Sequence, residues 1–257
     1  MDGIYIREDG KIVSKDTTTS ECKELGDWDP TNAAGKGIVI DDDSVSDATT
    51  AALAVGPDNS KSVVVRNQVF NATALAGLTQ DSHGALLEAD SIFCSSTFEA
   101  EGTQNGVETS GPLKIKSSTL IGGTGKSGLV TGGTTTIVGS DTLIVGGTGT
   151  LPAIRHASGG TLEIHGGTFG DGSEQWSVFR TSGNVRVYGG TFNSQLKNGA
   201  GAAGVRLKIF LKDNGRGKFL RRLCDGSPFN YITKISGFYE LNFCPENYQA
   251  PTFPECE

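Results

Sequence analysis

One ten-residue segment occurs twice in this chain and constrains its fold more than any other feature. The segment reads GTLEIHGGTF at residues 160–169 and GNVRVYGGTF at residues 183–192. Within a copy, apolar residues alternate with polar ones, as Leu162 and Ile164 do around Glu163, which is the pattern of a strand with one buried face. The Gly-Gly pair that follows tolerates backbone angles closed to other residues, so it predicts a sharp corner before the next strand.

Weaker copies of this segment precede the two clear ones. Each copy ends in an apolar residue, and consecutive end residues lie 22 to 28 positions apart. These end residues are Val45, Phe70, Phe98, Leu120, Leu143, Phe169 and Phe192. A period of this length predicts a solenoid, because a single unit cannot bury its apolar face alone. Strand patterning with glycine corners suits one turn of a parallel β-helix for each copy.

The repeats resemble those of a known class of proteins. The GGTF motifs at 166–169 and 189–192, with the weaker copies between about residues 36 and 210, resemble the Gly- and Thr-rich repeats of secreted or surface β-solenoids. More broadly, they resemble the right-handed parallel β-helix proteins of the pectin-lyase-like class. The resemblance is specific for architecture and weak for function. Right-handedness is expected from the general rule for parallel crossovers.

The predicted fold is therefore all-β, a right-handed parallel β-helix of about seven to eight coils. Glycine, at 37 of 257 residues, is about twice as frequent as usual, which fits its use at corners. We expect residues 1–35 to form an N-terminal cap or a degenerate first coil, and residues 36–203 to form the β-helix. Residues 204–257 are predicted to form the last coil and a C-terminal β-hairpin cap, because they contain turn signals such as Asp213-Asn214-Gly215.

Stacking the coils in this register places equivalent residues in columns about 4.8 Å apart. The end residues would form one internal apolar column, and the residues before them a column rich in threonine: Ser44, Val69, Thr97, Thr119, Thr142, Thr168 and Thr191. Outward positions would pair Asp41 with Arg66, and Glu163 with Arg186. Each exposed pair is worth only about 0.2 to 1 kcal/mol, so the pairs indicate register rather than stability.

The segments between the clear copies carry further predictions. At the N-terminus, Ile4 and Ile6 would lie below Ile38 and Ile40. The small residues 46–59 predict a short helix or a turn. A second apolar segment in each later repeat predicts another strand per coil: Ala85-Leu86-Leu87, Leu129-Val130, Ala153-Ile154 and Val178-Phe179.

Charge and hydropathy limit the possible partners of the chain and its cellular compartment. A formal net charge of -7 argues against nonspecific nucleic-acid binding. The chain has no apolar run long enough to span a membrane, and its first ten residues are too polar for a secretory signal. We nevertheless expect an extracellular or cell-surface location, because the resembling class is usually extracellular and a chain that begins inside a repeat can be a fragment.

The cysteines leave the redox compartment open. Their number, five, is odd. Those near the C-terminus are close enough for a bridge such as Cys244 to Cys256, whereas Cys94 falls at an outward strand position without an evident partner. The prolines of the final segment, at 245, 251 and 254, predict an extended tail that cannot add strands.

The best candidate site lies on the best-preserved coils. Cationic and aromatic residues gather there within two or three turns: Arg155, His156, His165, Trp176, Arg180, Arg186 and Tyr188. Rings that stack on sugars, next to cations that bind carboxylate or sulfate, suit an acidic polysaccharide. The alternative is that these are ordinary outward residues, with Arg186 paired to Glu163.

Catalytic and metal-binding signals are weak. Asp41-Asp42-Asp43 could supply oxygens for Ca²⁺ or for a catalytic pair, but it occupies a corner and is better interpreted as a solvated turn. The Gly-His-Gly and Arg-Ile-Lys motifs of pectin-lyase-like hydrolases do not occur in this chain. We expect no metal and no cofactor.

The sequence thus favours a noncatalytic extracellular or cell-surface β-solenoid, structural or adhesive, that contacts acidic polysaccharide. A polysaccharide lyase or glycoside hydrolase of the same fold is the alternative. An ice-binding protein is a third and weaker hypothesis, because only one threonine column is regular. The oligomeric state stays open.

Overall fold

The computed structural model describes residues 3–16, 21–29, 36–42, 44–75, 77–78, 81–149, 151–199 and 206–257. Regular structure in these ranges is nearly all β. The helical elements are the short α-helix α1 (Tyr231–Lys234) and two 3₁₀ turns (Ala72–Ala74 and Pro254–Cys256). An all-β fold is therefore confirmed.

The strands fall into three groups along the chain. The N-terminal strands are β1 (Gly3–Ile6), β2 (Lys11–Lys15), β3 (Cys22–Asp27), β4 (Gly37–Ile40), β5 (Val45–Ala48) and β6 (Ala51–Val55). The repeated part contains β7 (Ser62–Arg66), β8 (Val69–Asn71), β9 (His83–Leu87), β10 (Ser91–Cys94), β11 (Thr97–Glu99), β12 (Val107–Thr109), β13 (Leu113–Lys116), β14 (Thr119–Ile121), β15 (Leu129–Thr131), β16 (Thr135–Val138), β17 (Leu143–Val145), β18 (Ile154–His156), β19 (Thr161–Ile164), β20 (Thr168–Phe169), β21 (Trp176–Arg180), β22 (Asn184–Val187), β23 (Thr191–Phe192) and β24 (Gln195–Asn198). The C-terminal strands are β25 (Leu207–Asp213), β26 (Phe219–Leu223), β27 (Ile235–Ser236) and β28 (Glu240–Phe243).

These strands form three sheets. The long sheet has twelve strands, of which β1, β7, β10, β13, β16, β19, β22, β25 and β28 run parallel, while β2, β3 and β26 are antiparallel additions. The medium sheet has ten strands, parallel from β4 through β6 to β27, with β5 antiparallel at its edge. The short sheet contains β8, β11, β14, β17, β20 and β23, all parallel.

From β6 to β24 the chain visits the medium, long and short sheets in a constant order. Each visit adds one parallel strand beside the previous one, which fits a parallel β-helix. The predicted second strand of each coil is confirmed, because β9, β15, β18 and β21 contain the four short apolar segments, except for Ala153, which directly precedes β18.

The interior of the short sheet carries the apolar column that the repeats predict. Phe70, Phe98 and Leu120 are neighbours in register and fully buried. Phe169 and Phe192 pair farther along and stack with ring centroids 5.1 Å apart. Trp28 lies on the N-terminal end of this column, with its ring centroid 4.5 Å from that of Phe70. The repeat pattern therefore positions the core.

Two members of the predicted column are wrong. Ile144, not Leu143, occupies the inward position beside Leu120, because the preceding corner is two residues longer than its equivalent in the coil before. Thr142 turns inside this longer corner, where its hydroxyl donates to the Val138 carbonyl (2.7 Å). Val45 belongs to β5 and pairs with Ile40, so it also lies outside the column.

The first coil also differs from the prediction, because its strands pair with other partners than the repeat pattern suggests. β4 lies in the medium sheet beside β6, so Ile4 and Ile6 neighbour Val63 and Val65 instead of the residues of β4. The expected Asp41–Arg66 ion pair does not form, whereas Arg186 Nη1 lies 2.9 Å from Glu163 Oε1 as predicted. Residues 46–59 contribute strand rather than helix, since β5 and β6 fall within or overlap them.

The Gly-Gly corners are confirmed at the two clear repeats. Gly167 and Gly190 have φ values of +109° and +107°, a region that L side chains rarely adopt. A Cβ on Gly190 would also lie 2.9 Å from the Phe169 ring. At these positions glycine supplies both the backbone angle and the space for the stacked phenylalanines.

The C-terminal part begins with the predicted hairpin. β25 and β26 pair antiparallel around the turn at 213–218, and β28 pairs parallel with β25. After β28 the chain leaves the sheet and crosses the outer face of the long sheet. We call residues 244–257 the C-terminal strap.

Candidate functional site

The seven residues predicted as one ligand face lie in three different places. Two are interior, three lie on the outer face of the long sheet, and two lie on the outer face of the medium sheet. In that order they are His156 and Arg180, then His165, Arg186 and Tyr188, then Arg155 and Trp176.

The burial of His156 and Arg180 contradicts their predicted outward position. His156 and Arg180 are 0% and 1% exposed. The physical reason is strand alternation: Arg155 faces outward in β18, so its neighbour His156 must face inward, and Phe179 and Arg180 divide in the same way in β21. Adjacent residues of a flat strand cannot share one face.

These two residues belong to a buried polar column of the medium sheet, with Thr109, Thr131 and Asn198 as register neighbours. Arg180 Nε donates to the Gly183 carbonyl (2.8 Å) and Nη1 to Asn198 Oδ1 (2.5 Å). His156 Nε2 lies 3.1 Å from the Gly160 carbonyl. The column thus ties the corner loops to the strands.

Burial decides the protonation of this column. Desolvation lowers the pKa of His156 below its ordinary value, and the charge of Arg180 adds to the decrease. Burial also lowers the pKa of Arg180, with the charge of Arg206 acting in the same direction. His156 is therefore neutral near pH 7.

On the outer face of the long sheet, three rings stack in one column. The His165 and Tyr188 rings are 4.7 Å apart and nearly parallel, and the Tyr188 and Phe210 rings are 4.2 Å apart. The shared outward column of His165 and Tyr188 is therefore confirmed. It is not open, because Tyr248 of the C-terminal strap packs 5.9 Å from the His165 ring and 5.5 Å from the Tyr188 ring.

Polar contacts fix the histidine within this stack. The Tyr248 hydroxyl lies 2.7 Å from His165 Nδ1, and His165 Nε2 lies 3.6 Å from Glu163 Oε2. Burial raises the pKa of Tyr248, so its hydroxyl keeps its proton and can donate to Nδ1. The His165 and Arg186 side chains lower the pKa of Glu163, which stays ionised between them.

The C-terminal strap runs over the outer face of the long sheet from its last coils back to its first. Cys244 N donates to the Leu211 carbonyl of β25 (3.0 Å). At the other end, Glu255 lies 3.6 Å from Lys114, and Arg66 of β7 donates to the Glu257 carbonyl oxygen (3.4 Å). The strap therefore passes in the direction opposite to the growth of the coils.

Two disulfides fix the strap, and they correct the expected pairing. Cys94 bonds to Cys256 and Cys224 bonds to Cys244, while Cys22 is free and exposed. The outward position of Cys94 was correctly predicted. Its partner was missed because the two cysteines are 162 residues apart and meet only when the strap folds back.

The outer face of the medium sheet keeps an accessible row of side chains. Val130, Arg155, Phe179 and Lys197 are register neighbours on successive strands. Arg155 is exposed, and the other three are half-buried. Trp176 stacks on Phe179, with ring centroids 5.0 Å apart. We call Arg155, Trp176, Phe179 and Lys197 the medium-sheet row.

Phe179 and Lys197 were missed as ligand candidates by sequence reasoning. Their signal was present in the second strand of each coil, where the residue after the inward apolar position faces outward, as it does in β18 and β21. Next to the row, an open groove of about 240 Å³ is lined by Leu86, Glu108 and Val130, among others. The row and the groove form one continuous, shallow surface.

In the acidic corner, the Asp42 carboxylate binds backbone groups of a neighbouring turn. Asp42 Oδ1 accepts hydrogen bonds from the backbone N–H groups of Ser60 (2.9 Å) and Lys61 (3.2 Å), while Asp43 lies outside the described residues. Among the described residues, no group of three or more His, Cys, Asp and Glu side chains is placed to hold a metal ion. No helix in the described ranges is both long enough and apolar enough to cross a membrane.

No protein-family model matches this chain, and no curated protein or solved structure matches it either.

Proposed function

We propose that this chain is a noncatalytic extracellular or cell-surface β-solenoid, structural or adhesive, that binds acidic polysaccharide along the medium-sheet row. In its finer detail, the proposed fold is a right-handed parallel β-helix of about seven to eight coils with caps at both ends, similar to the pectin-lyase-like class. Three long, largely parallel sheets support this architecture.

The location is supported by the disulfides. Two pairs of cysteines are bonded, and bridges of this kind persist in oxidising compartments outside the cytosol. The bridge between Cys94 and Cys256 joins residues 162 positions apart in the sequence.

The medium-sheet row is the single observation that carries the ligand. Arg155 has no ion-pair partner among the described residues, and it lies in register beside Phe179. Phe179 and Trp176 together offer apolar ring surface for a sugar, and Arg155 offers paired N–H donors for a carboxylate or sulfate. Lys197 lies one strand beyond Phe179 and adds a second cation in the same row.

A glycan array of uronic-acid, sulfated and neutral oligosaccharides tests this proposal. We expect the chain to bind acidic glycans and to bind less tightly at high salt, since exposed charge pairs are screened. Phe179→Ala should weaken binding about two- to tenfold through lost stacking, and Arg155→Gln should reduce the salt dependence. Arg216→Gln is the matched control, because that exposed arginine lies in the turn between β25 and β26, outside the medium-sheet row.

The proposal is wrong if acidic and neutral glycans bind equally, or if Arg216→Gln weakens binding as much as Arg155→Gln. Absence of binding to every glycan would leave only the structural role.

A polysaccharide lyase or hydrolase is the second candidate, and one observation favours it. Glu108 lines the groove, and its charge acts on His83, whose pKa is lowered by burial and by Lys126. A carboxylate that lines the groove and a neutral imidazole that responds to its charge are suitable groups for proton transfer. Analysis of products from any bound glycan tests this candidate: unsaturated or reducing ends that disappear in Glu108→Gln would establish catalysis.

A further inference from the structure

The C-terminal strap is acidic and covers a face rich in cations. Its sequence, CPENYQAPTFPECE, contains three glutamates and neither lysine nor arginine. The outward columns of the long sheet beneath it contain more basic than acidic residues: Arg66, Lys114, Lys116, Arg186 and Lys208 against Glu163 and Glu240. The strap and the face therefore have complementary charges.

Direct contacts show how the strap uses this complementarity. Glu255 lies 3.6 Å from Lys114 Nζ, and the same Nζ lies 5.8 Å from the centroid of the Phe253 ring. Phe253 and Glu255 are 3% and 8% exposed, so the strap buries them against the sheet. An acidic, ring-bearing segment thus occupies a track of cations and aromatic rings.

The chemistry of this track is that of the medium-sheet row, on a larger scale. His165, Tyr188 and Phe210 form a continuous stack of ring surface. Lys114 and Lys116 lie in β13, farther along the same outer face. A linear acidic polysaccharide needs both cations and ring surface for binding. In this structure the strap occupies the position that the polysaccharide would take.

We propose that the outer face of the long sheet is a second binding track for acidic polysaccharide, closed by the C-terminal strap and opened when the Cys94–Cys256 disulfide is reduced. This inference rests on the proposed function for the class of ligand. Residues of the strap act as an internal substitute for the glycan, so strap and glycan exclude each other.

The opening step is a thiol–disulfide exchange. A dithiol reductant attacks the Cys94–Cys256 bond, which breaks to give two thiols, and the reductant is oxidised to its own disulfide. The strap then keeps only noncovalent contacts near Cys256, while Cys224–Cys244 still holds its beginning. Because the freed end is short and carries Glu255, a polyanion at high local charge can displace it.

The test compares the oxidised wild-type chain with the double variant Cys94→Ser, Cys256→Ser, which leaves Cys224–Cys244 intact. The probe is fluorescent polygalacturonate, with neutral dextran as the control polymer. We expect the double variant to bind polygalacturonate at least tenfold more tightly than the wild type. Adding Lys114→Gln and Lys116→Gln should remove this gain, whereas adding Arg155→Gln should not.

Hydrogen exchange reports separately on the strap. Val64 and Ile92 lie beneath its end in a small apolar cluster with Cys94 and are nearly inaccessible. We expect faster exchange at these strands in the double variant. Faster exchange without tighter polygalacturonate binding would overturn the second track, and unchanged exchange would overturn the disulfide as its latch.

A further variant guards against misfolding. If circular dichroism shows that the double variant does not fold, Tyr248→Ala with Glu255→Gln weakens the strap while keeping both disulfides, and the same gain in binding is expected. The two proposals can fail separately. The effect of Phe179→Ala on wild-type binding tests only the medium-sheet row. The gain of binding in the strap variants tests only the second track.

Discussion

Two stacks of rings, one inside the short sheet and one beneath the C-terminal strap, look alike in geometry and differ in how they are completed. Phe169 and Phe192 stack at 5.1 Å because equivalent positions of two repeats are adjacent in register. Tyr248 joins His165 and Tyr188 only once, across 83 residues of sequence from His165. The inner stack and the pairing of His165 with Tyr188 both follow from the repeat register, whereas the ring that Tyr248 adds depends on a single long-range return of the chain.

Removing the Cys94–Cys256 disulfide should have the largest effect on the free energy of unfolding. In the chain-entropy description, a bridge across 162 residues contributes up to about 5 kcal/mol and one across 20 residues about 3 kcal/mol. We therefore expect Cys94→Ser with Cys256→Ser to lower the free energy of unfolding more than Cys224→Ser with Cys244→Ser. Urea denaturation of both variants measures the difference, and an equal loss would show that the strap adds no long-range constraint.

Truncating a side chain of the inner stack should have the second-largest effect on the free energy of unfolding. Phe98 is fully buried between Phe70 and Leu120, so Phe98→Ala is expected to cost about 3 to 5 kcal/mol through lost burial and a cavity. Val69 is 48% exposed on the same sheet, and Val69→Ala should change stability by less than about 0.5 kcal/mol. Similar losses in the two variants would contradict the assignment of this column to the core.

Acidification should lower the free energy of unfolding first through the buried histidines. The pKa of His156 is lowered in the folded chain, so below about pH 6.5 the unfolded chain binds a proton that the folded chain does not. Stability should therefore fall as the pH decreases from about 6.5 to the folded pKa of His156. Urea midpoints between pH 7.5 and 5 should show a shallower slope in His156→Gln, with a remaining slope from His83, whose pKa is also lowered.

The smallest effect is expected at the outer ion pair. Arg186 and Glu163 lie 2.9 Å apart, with side chains 45% and 26% exposed. Arg186→Gln should cost less than about 1 kcal/mol, and less still in high salt. A loss that persists at 1 M salt would mean that Arg186 also supports the Tyr188 stack through packing.

How much of this molecule its sequence predicts depends on how local each contact is. The inward positions of Phe70, Phe98 and Phe192 follow from strand alternation and the repeat period, and the structure confirms them. Leu143 was misplaced because a period cannot reveal that one corner has two extra residues.

The candidate site was harder to predict than the core. A cluster in sequence does not separate neighbours that alternation sends to opposite faces, as with Arg155 and His156. Nor does it show that a distant segment covers a face, as Tyr248 covers Tyr188. Opposite charges between the final segment and the outward lysines were visible in the sequence, but they identify no contact until the direction of the tail is known.

The return path of the strap also affects how the solenoid comes apart. Coils that peel away from the C-terminal end remain covalently tethered, through Cys256, to β10 near the opposite end. A frayed end therefore stays close to the surface it left and can rewind quickly, so partial opening is reversible where an untethered repeat array would continue to unravel. With rewinding faster than cleavage, resistance to protease at the last coils would follow the small fraction of time that the end is open.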